Sequence, residues 1–339
     1  MMKTVHLRRS QILLTVLFTG GFALLYAIAG VTRKFLLFPL IAIPQAAGMV
    51  LLGRTYEHNL PLVQHGSGLP EQLQVLGWGA TAALTASYVF FVVFFSREGE
   101  RYFRAHTEIT LARELHQALV PEIQRTIGNF EIYGASVPSG EVGGDLVDLV
   151  QYGDDWTAYV ADVSGHGVAP GVLMAMFKAS VRTCVNECDA SVLLATVHQA
   201  LYPLKTSNMF LTAGVLEARA DRLRLSLAGH PPLLHFQRQT NRVTEYGSED
   251  LPLGILPQQT FASRSIEIGR GDVLVLLTDG ITEVSDSSGT ELGVDAIKSS
   301  LPRWADLPLP KIFSNARELA LQFGKQLDDQ TMLLVRRSA

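Results

Sequence analysis

Three stretches of the chain, residues 10–32, 35–53 and 72–96, contain no Asp, Glu, Lys or Arg. This feature constrains the fold most, because a helix needs about 20 apolar residues to cross a bilayer. Ser10–Thr32 and Leu73–Ser96 meet that length. Phe35–Gly53 is shorter and holds Pro39 and Pro44, so it is either a kinked span or a re-entrant segment shielded by its neighbours. Buried core helices would also be apolar, but three such runs stand together with nothing amphipathic around them. Lys3, Arg8 and Arg9, followed by an apolar run ending Ala27-Ile28-Ala29, imitate a cleavable signal peptide, yet the run is long for one. Residues 1–96 are therefore expected to form an all-α transmembrane region. Basic residues fall on both sides of the spans, so charge alone does not orient them.

Charged residues make up 18% of the chain, below the ~25% usual in soluble domains. The deficit sits in the uncharged stretches, and from Arg97 onward the chain reads as an ordinary soluble protein. A net charge of -4 argues against a nucleic-acid partner, which calls for a basic face. Cys184 and Cys188 stand four apart in a helical pattern. No further metal ligands lie nearby, so they read as a reduced, inert pair. Between the two regions, residues 97–121 show helical periodicity. Tyr102, Ala105, Ile109, Ala112, His116 and Leu119 form an apolar seam that Pro121 ends. The seam suits a short coiled coil or a lone amphipathic helix packed on its own domain.

Residues 122–339 change pattern. Phe130–Ala135, Leu146–Tyr152, Trp156–Asp162, Phe210–Leu216, Leu223–Ala228, Asp272–Leu277 and Thr331–Val335 read as strands. Gly167–Asn186, Ala190–Tyr202 and Pro310–Phe323 read as helices. Strands outnumber helices and short turns join most of them, which predicts a largely antiparallel α+β domain rather than a doubly wound parallel sheet.

Four acidic positions stand where a strand meets a polar or Gly-rich turn. Asp145 ends Glu141-Val142-Gly143-Gly144-Asp145. Asp162 opens Asp162-Val163-Ser164-Gly165-His166-Gly167. Asp279 follows an apolar strand and precedes Gly280. Asp328 and Asp329 come just before the strand at Thr331. A carboxylate at a buried strand end is costly unless paired, and no Lys or Arg adjoins the first three. Any one Asp-Gly is most simply a turn; four at strand ends point to hard divalent cations, which take oxygen ligands. Four carboxylates balance two such ions, and the Val163 carbonyl is a candidate extra ligand. A cation pair activates a water and clamps a phosphoryl group. No Ser-His-Asp or Cys-based nucleophile arrangement is evident.

Five segments, in order, carry a family resemblance: Glu141–Asp145, Asp162–Gly167, Ala228-Gly229-His230-Pro231-Pro232, Thr278-Asp279-Gly280-Ile281-Thr282-Glu283, and Asp328-Asp329-Gln330-Thr331. Together they resemble the SpoIIE/RsbU-type phosphatases, bacterial members of the metal-dependent PPM (type 2C) protein phosphatases. Glu114–Pro121 is similar to the helix that precedes the domain in that family. The resemblance runs from about Leu111 to Arg336. It implies an αββα sandwich with two Mn²⁺ or Mg²⁺ ions between the sheets, held by Asp145, Asp162, Asp279, Asp328 and the Val163 carbonyl. It also implies a phosphoserine or phosphothreonine protein substrate, usually a phosphorylated anti-sigma-factor antagonist of the STAS fold. A cytosolic substrate places the catalytic domain on the cytoplasmic side of a bacterial inner membrane, and the spans and linker suggest a homodimer.

The first motif departs from the family's aromatic continuation: it reads Leu146-Val147-Asp148. Asp148 either orients a metal-bound water or is a surface turn residue. His166 is read as shaping the metal loop, with proton donation to the leaving serine oxygen as the alternative. His230 is read as a structural turn residue. Two other functions stay open: an inactive membrane-tethered binding module, and a hydrolase of small phosphoesters. No Walker-type loop or dinucleotide fingerprint supports the latter.

Overall fold

A computed structural model describes residues 17–18, 20–26, 28–29, 40–48, 50–51, 85–86, 88–95, 110, 113–114, 116–140, 142–165, 167–185, 189–205, 208–220 and 222–338. The chain forms two compact units, Met1–Thr107 and Glu108–Ala339. In the first unit, the described residues between 17 and 29, 40 and 51, and 85 and 95 are helical. The Tyr88 hydroxyl donates to the Ala23 carbonyl at 2.7 Å, and the Tyr26 hydroxyl donates to Gln45 Oε1 at 3.1 Å. Among the described residues no helix is long and apolar enough to cross a membrane. The ends of the expected spans 10–32, 35–53 and 72–96, and most of the last one, lie outside the described residues. So do Tyr102, Ala105, Ile109 and Ala112 of the linker seam; His116 and Leu119 are described and helical.

The second unit holds two antiparallel sheets. The first, in order β1-β2-β11-β10-β7-β8, uses Ile123–Ile127, Phe130–Val137, Gln330–Arg337, Val273–Leu277, Leu233–Gln237 and Arg242–Tyr246. The second, in order β3-β4-β5-β6-β9, uses Leu146–Tyr152, Asp155–Val163, Leu211–Arg219, Arg222–Ala228 and Arg264–Ile266. Besides the lead-in helix that holds His116 and Leu119, the described residues of this unit form helices α1 Val168–Cys184, α2 Ala190–Leu201, α3 Asp279–Thr282, α4 Val294–Trp304 and α5 Leu309–Phe323.

Side-chain alternation along the strands builds the layers. In β10, Leu274 and Leu276 join the core between the sheets, whereas Val273, Val275 and Leu277 pack with α4 and α5. In β4, Trp156, Ala158 and Val160 point to the same inter-sheet core, and Tyr159, Ala161 and Val163 meet α1 and α2. Both faces of the central strands are thus buried, which is why they read as continuous apolar runs rather than alternating ones. The result is helices, sheet, sheet, helices, the αββα sandwich that the resemblance implies.

The strands predicted from sequence are present, with β4 and β5 running on to Val163 and Arg219. Edge strands β1, β8 and β9, inner strand β7, and helices α3 and α4 are additions.

Candidate active site

Antiparallel pairing sets the start of one strand beside the end of its neighbour. Leu146 opens β3 opposite Ala161 of β4, so Asp145 comes next to Asp162. Leu277 closes β10 opposite Met332 of β11, so Asp279 and Asp328 flank the same end of the other sheet. The link between the sheets is direct: Thr278 Oγ1 donates to Asp145 Oδ2 at 2.8 Å.

The acids repel one another: Asp145 is buried, Asp162 and Asp279 are half-buried, and Asp328 stands at the exposed margin. Burial, then the charge of Asp162, raises the Asp145 carboxyl well above the usual carboxylate range, against hydrogen bonds from Thr331 and Thr278. Burial, followed by the charges of Asp279 and Asp328, pushes Asp162 up to about 7. Burial and then Asp328 also raise Asp279. Among the described residues no ion pair reaches Asp145, Asp162, Asp279 or Asp328. Nor do three His, Cys, Asp or Glu side chains stand close enough to hold one ion as they are placed. The donor set still fits hard cations: oxygen ligands only, with negative charge that no ion pair among the described residues offsets. The Val163 carbonyl belongs to the same cluster, since a Cβ on Gly144 would stand 2.8 Å from its oxygen.

Asp329, weighed in the sequence only as a neighbour of Asp328, has a distinct role. Its Oδ1 accepts the Ser139 amide at 2.7 Å and the Ser139 hydroxyl at 3.2 Å. Its Oδ2 accepts the Gly144 amide at 2.7 Å and the Asp145 amide at 3.3 Å. One buried carboxylate thereby fixes the loop that carries Asp145. The fit leaves no room for a side chain at Gly143, where a Cβ would fall 2.3 Å from Asp329 Oδ2. That position also lies 3.1 Å from His116 Nε2, so the lead-in helix reaches this loop. His116 is buried, and its Nε2 has no hydrogen-bond partner.

Asp148 is neither a water-orienting group nor a surface turn residue. It is buried on β3, accepts two hydrogen bonds from Arg182 at 2.8 and 2.9 Å and one from the Tyr159 hydroxyl at 2.7 Å, and pairs with Lys178 at 3.3 Å. Although burial acts to raise its pKa, these partners hold it below the usual carboxylate range. Lys178 also donates to the Leu119 carbonyl at the end of the lead-in helix. The signal for this role was present in sequence as Lys178 and Arg182, four apart on one helix face.

His166 lies outside the described residues, as does Glu141. His230 is a core residue: its Nδ1 is 3.2 Å from Thr212 Oγ1, and burial pushes its pKa down to about 3. Cys184 is half-buried and its Sγ donates to the Ser180 carbonyl at 3.1 Å; Cys188 lies outside the described residues.

Comparison with known proteins agrees with this geometry. Residues 152–338 match the family model for Stage II sporulation protein E (SpoIIE), a stretch that includes Asp162, Asp279 and Asp328 and begins after Asp145. The chain is 24% identical over 237 residues to "Phosphoserine phosphatase RsbU" of Bacillus subtilis, covering 68% of this chain and 70% of that protein. It is 24% identical over 266 residues to "Protein IcfG" of Synechocystis, of which it spans 42%. Among solved structures, the SiaA-PP2C domain of Pseudomonas aeruginosa superposes with a TM-score of 0.60 at 19% identity, covering 70% of this chain and 98% of that one. The RsbU and RsbW domains of a Mycobacterium tuberculosis protein give 0.57 at 24% identity, over 66% of this chain and 64% of theirs. RsbX, solved in complex with magnesium, gives 0.52 at 16% identity, over 64% of this chain and all of that one.

Proposed function

Because the chain belongs to the SpoIIE family and is a serine/threonine phosphatase of the PPM kind, we propose that it hydrolyses phosphoserine or phosphothreonine on a partner protein with two divalent cations, Mn²⁺ or Mg²⁺. The observation that carries this reading is the meeting of acid-bearing strand ends from both sheets, with Asp162 pushed up to about 7 by burial and then by the charges of Asp279 and Asp328. Asp145, Asp162, Asp279, Asp328 and the Val163 carbonyl are the proposed ligands. When bound, the cations supply an acidified water as nucleophile and offset the charge on the phosphoryl oxygens. Thr278 holds Asp145 toward the opposite sheet, and Asp329 fixes its loop.

The partner is proposed to be a phosphorylated STAS-fold antagonist. A relative named phosphoserine phosphatase and a fold neighbour that joins RsbU and RsbW domains in one protein support this assignment. The test is Mn²⁺-dependent release of phosphate from p-nitrophenyl phosphate, from serine-phosphorylated STAS proteins and from nucleotides. Turnover of nucleotides alone, or of nothing, overturns the reading.

The uncharged stretches support anchoring in a bacterial inner membrane with the catalytic unit cytoplasmic. Three spans place the N-terminus outside. A reporter fused after Ala339 that is active only in the periplasm overturns this placement. We further infer a homodimer in which the segment 97–121 transmits helix rotation. Two alanines inserted after Arg104 turn the downstream helix by roughly 200°, whereas seven nearly restore its face. Equal effects of both insertions on activity reduce the segment to a tether.

A further inference from the structure

A phosphate-gripping centre at a strand end does not by itself choose among phosphoproteins. Selectivity requires contacts remote from the reacting atoms. The second unit offers one apolar surface next to the candidate centre. Ser164, two residues after Asp162, donates its amide to the Phe210 carbonyl at 3.0 Å, and Ser164 Oγ accepts the Phe210 amide at 3.0 Å. Leu211 and Leu253 exchange amide-to-carbonyl hydrogen bonds of 3.0 and 2.8 Å. A Cβ on Gly254 would stand 3.5 Å from the Met209 carbonyl and 2.8 Å from Lys205 Cδ. Three backbone strips, 162–164, 209–211 and 251–254, therefore run side by side, at spacings of about 4.8 Å for paired strands.

Leu211 and Leu253 of these strips turn into the core, whereas other apolar side chains on the middle strip, on the third strip and just beyond it are open to solvent. Phe210 is 37% exposed, Leu251 48%, Ile255 43% and Leu256 46%, with Leu204 at 62% on the adjoining turn. Among the described residues of this unit, the other exposed large apolar residues are Val168 and Val172, which line a cavity with Val142 and Met174, and Val192, Leu321 and Leu327; singly placed ones are ordinary on a soluble surface.

We propose that Leu204, Phe210, Leu251, Ile255 and Leu256 form the docking surface for the folded body of the phosphoprotein substrate, whose phosphorylated residue then reaches the Asp162 loop beside it. This inference rests on the phosphatase reading above. Continuity with the Asp162 loop through Ser164 selects the substrate as the occupant.

The test compares the full-length wild type with an Ile255→Ser, Leu256→Ser double variant, with Leu251→Ser, and with Leu321→Ser as an exposed apolar control on α5. Each is assayed on p-nitrophenyl phosphate and on a serine-phosphorylated STAS protein that the wild type turns over. For the double variant kcat/KM on the phosphoprotein falls roughly 10-fold or more, mainly through KM, because a few apolar anchors carry most of an interface. Turnover of p-nitrophenyl phosphate, and all activity of Leu321→Ser, stay unchanged. An unchanged phosphoprotein KM in both patch variants overturns the docking surface, as does an equal fall on both substrates. So does a change of oligomeric state without a change of KM, which makes the patch a self-contact. Failure of the wild type to turn over any phosphoprotein strikes the phosphatase reading itself.

Discussion

Asp145 and Asp148 lie three residues apart at the start of β3, both buried, and their environments pull them in opposite directions. Asp145 faces other acids and is raised; Asp148 faces Arg182, Lys178 and Tyr159 and is lowered. The contrast teaches how to tell a ligand from a brace in this fold. A buried carboxylate with protein-borne cations is already satisfied. One held among other carboxylates awaits a charge from outside.

The hardest blow to this distinction falls on turnover. Asp162→Asn or Asp279→Asn is expected to lower phosphatase activity by at least ~100-fold at saturating Mn²⁺, since metal placement stabilises the transition state by several kcal/mol. The fold should persist, because the change removes repulsion; circular dichroism and thermal melting check that. Wild-type-like rates in either variant would rule out the ligand assignment. Removing the brace acts instead on stability. Asp148→Ala strands Lys178 against buried surroundings and is expected to cost about 3 kcal/mol in urea unfolding. Equal stability of Asp148→Ala and wild type would erase the contrast.

Cation linkage sharpens the same comparison. Mn²⁺ at 100 times its Kd should stabilise the wild type by about 2.7 kcal/mol, reversibly with EDTA, and should stabilise Asp162→Asn much less. The effect smallest per step, up to ~1.4 kcal/mol for each pH unit, is on pH dependence without metal. Asp162 is raised to about 7, so in the folded state it keeps a proton that the unfolded chain releases near 4. Its contribution is full below about 4 and fades as pH rises to about 7, at up to ~1.4 kcal/mol per pH unit. Asp148 has the opposite sign: it stabilises above about 4 and loses that contribution as pH falls through its lowered value. Unfolding titrations with and without Mn²⁺ should show the first slope vanish and the second persist. A first slope unaffected by Mn²⁺ places the cations elsewhere.

Much of this was legible in the sequence wherever a local pattern carries it. The uninterrupted run Val273–Leu277 announces a strand buried on both faces, and the strand-end acids announce the cluster. Edge strands were less visible: β1 exposes Gln124, Arg125 and Thr126, and β8 is mostly exposed, so neither has an apolar run. Helix α4 carries Ser299, Ser300 and Pro302, which blur its period. Asp328 and Asp329 could not be separated because their partners are distant in the chain; the bonds from Ser139 and Gly144 to Asp329 span 190 and 185 residues. The ion pairs of Asp148 escaped detection for the same reason, since Arg182 is 34 residues away.

The place of β11 has a consequence for biosynthesis. It lies between β2 and β10 in its sheet, although it follows every other strand of the unit in sequence. A ribosome that has delivered the chain through α5 has made both margins of that sheet and left its middle open. Asp328 and Asp329 arrive with the missing strand, so the nascent polypeptide has neither a complete acid cluster nor the carboxylate that fixes the Asp145 loop. On the ligand assignment proposed above, translation thereby enforces its own delay: a fragment cut short before residue 328 is expected to lack phosphatase activity, which a truncation ending at Lys325 would check.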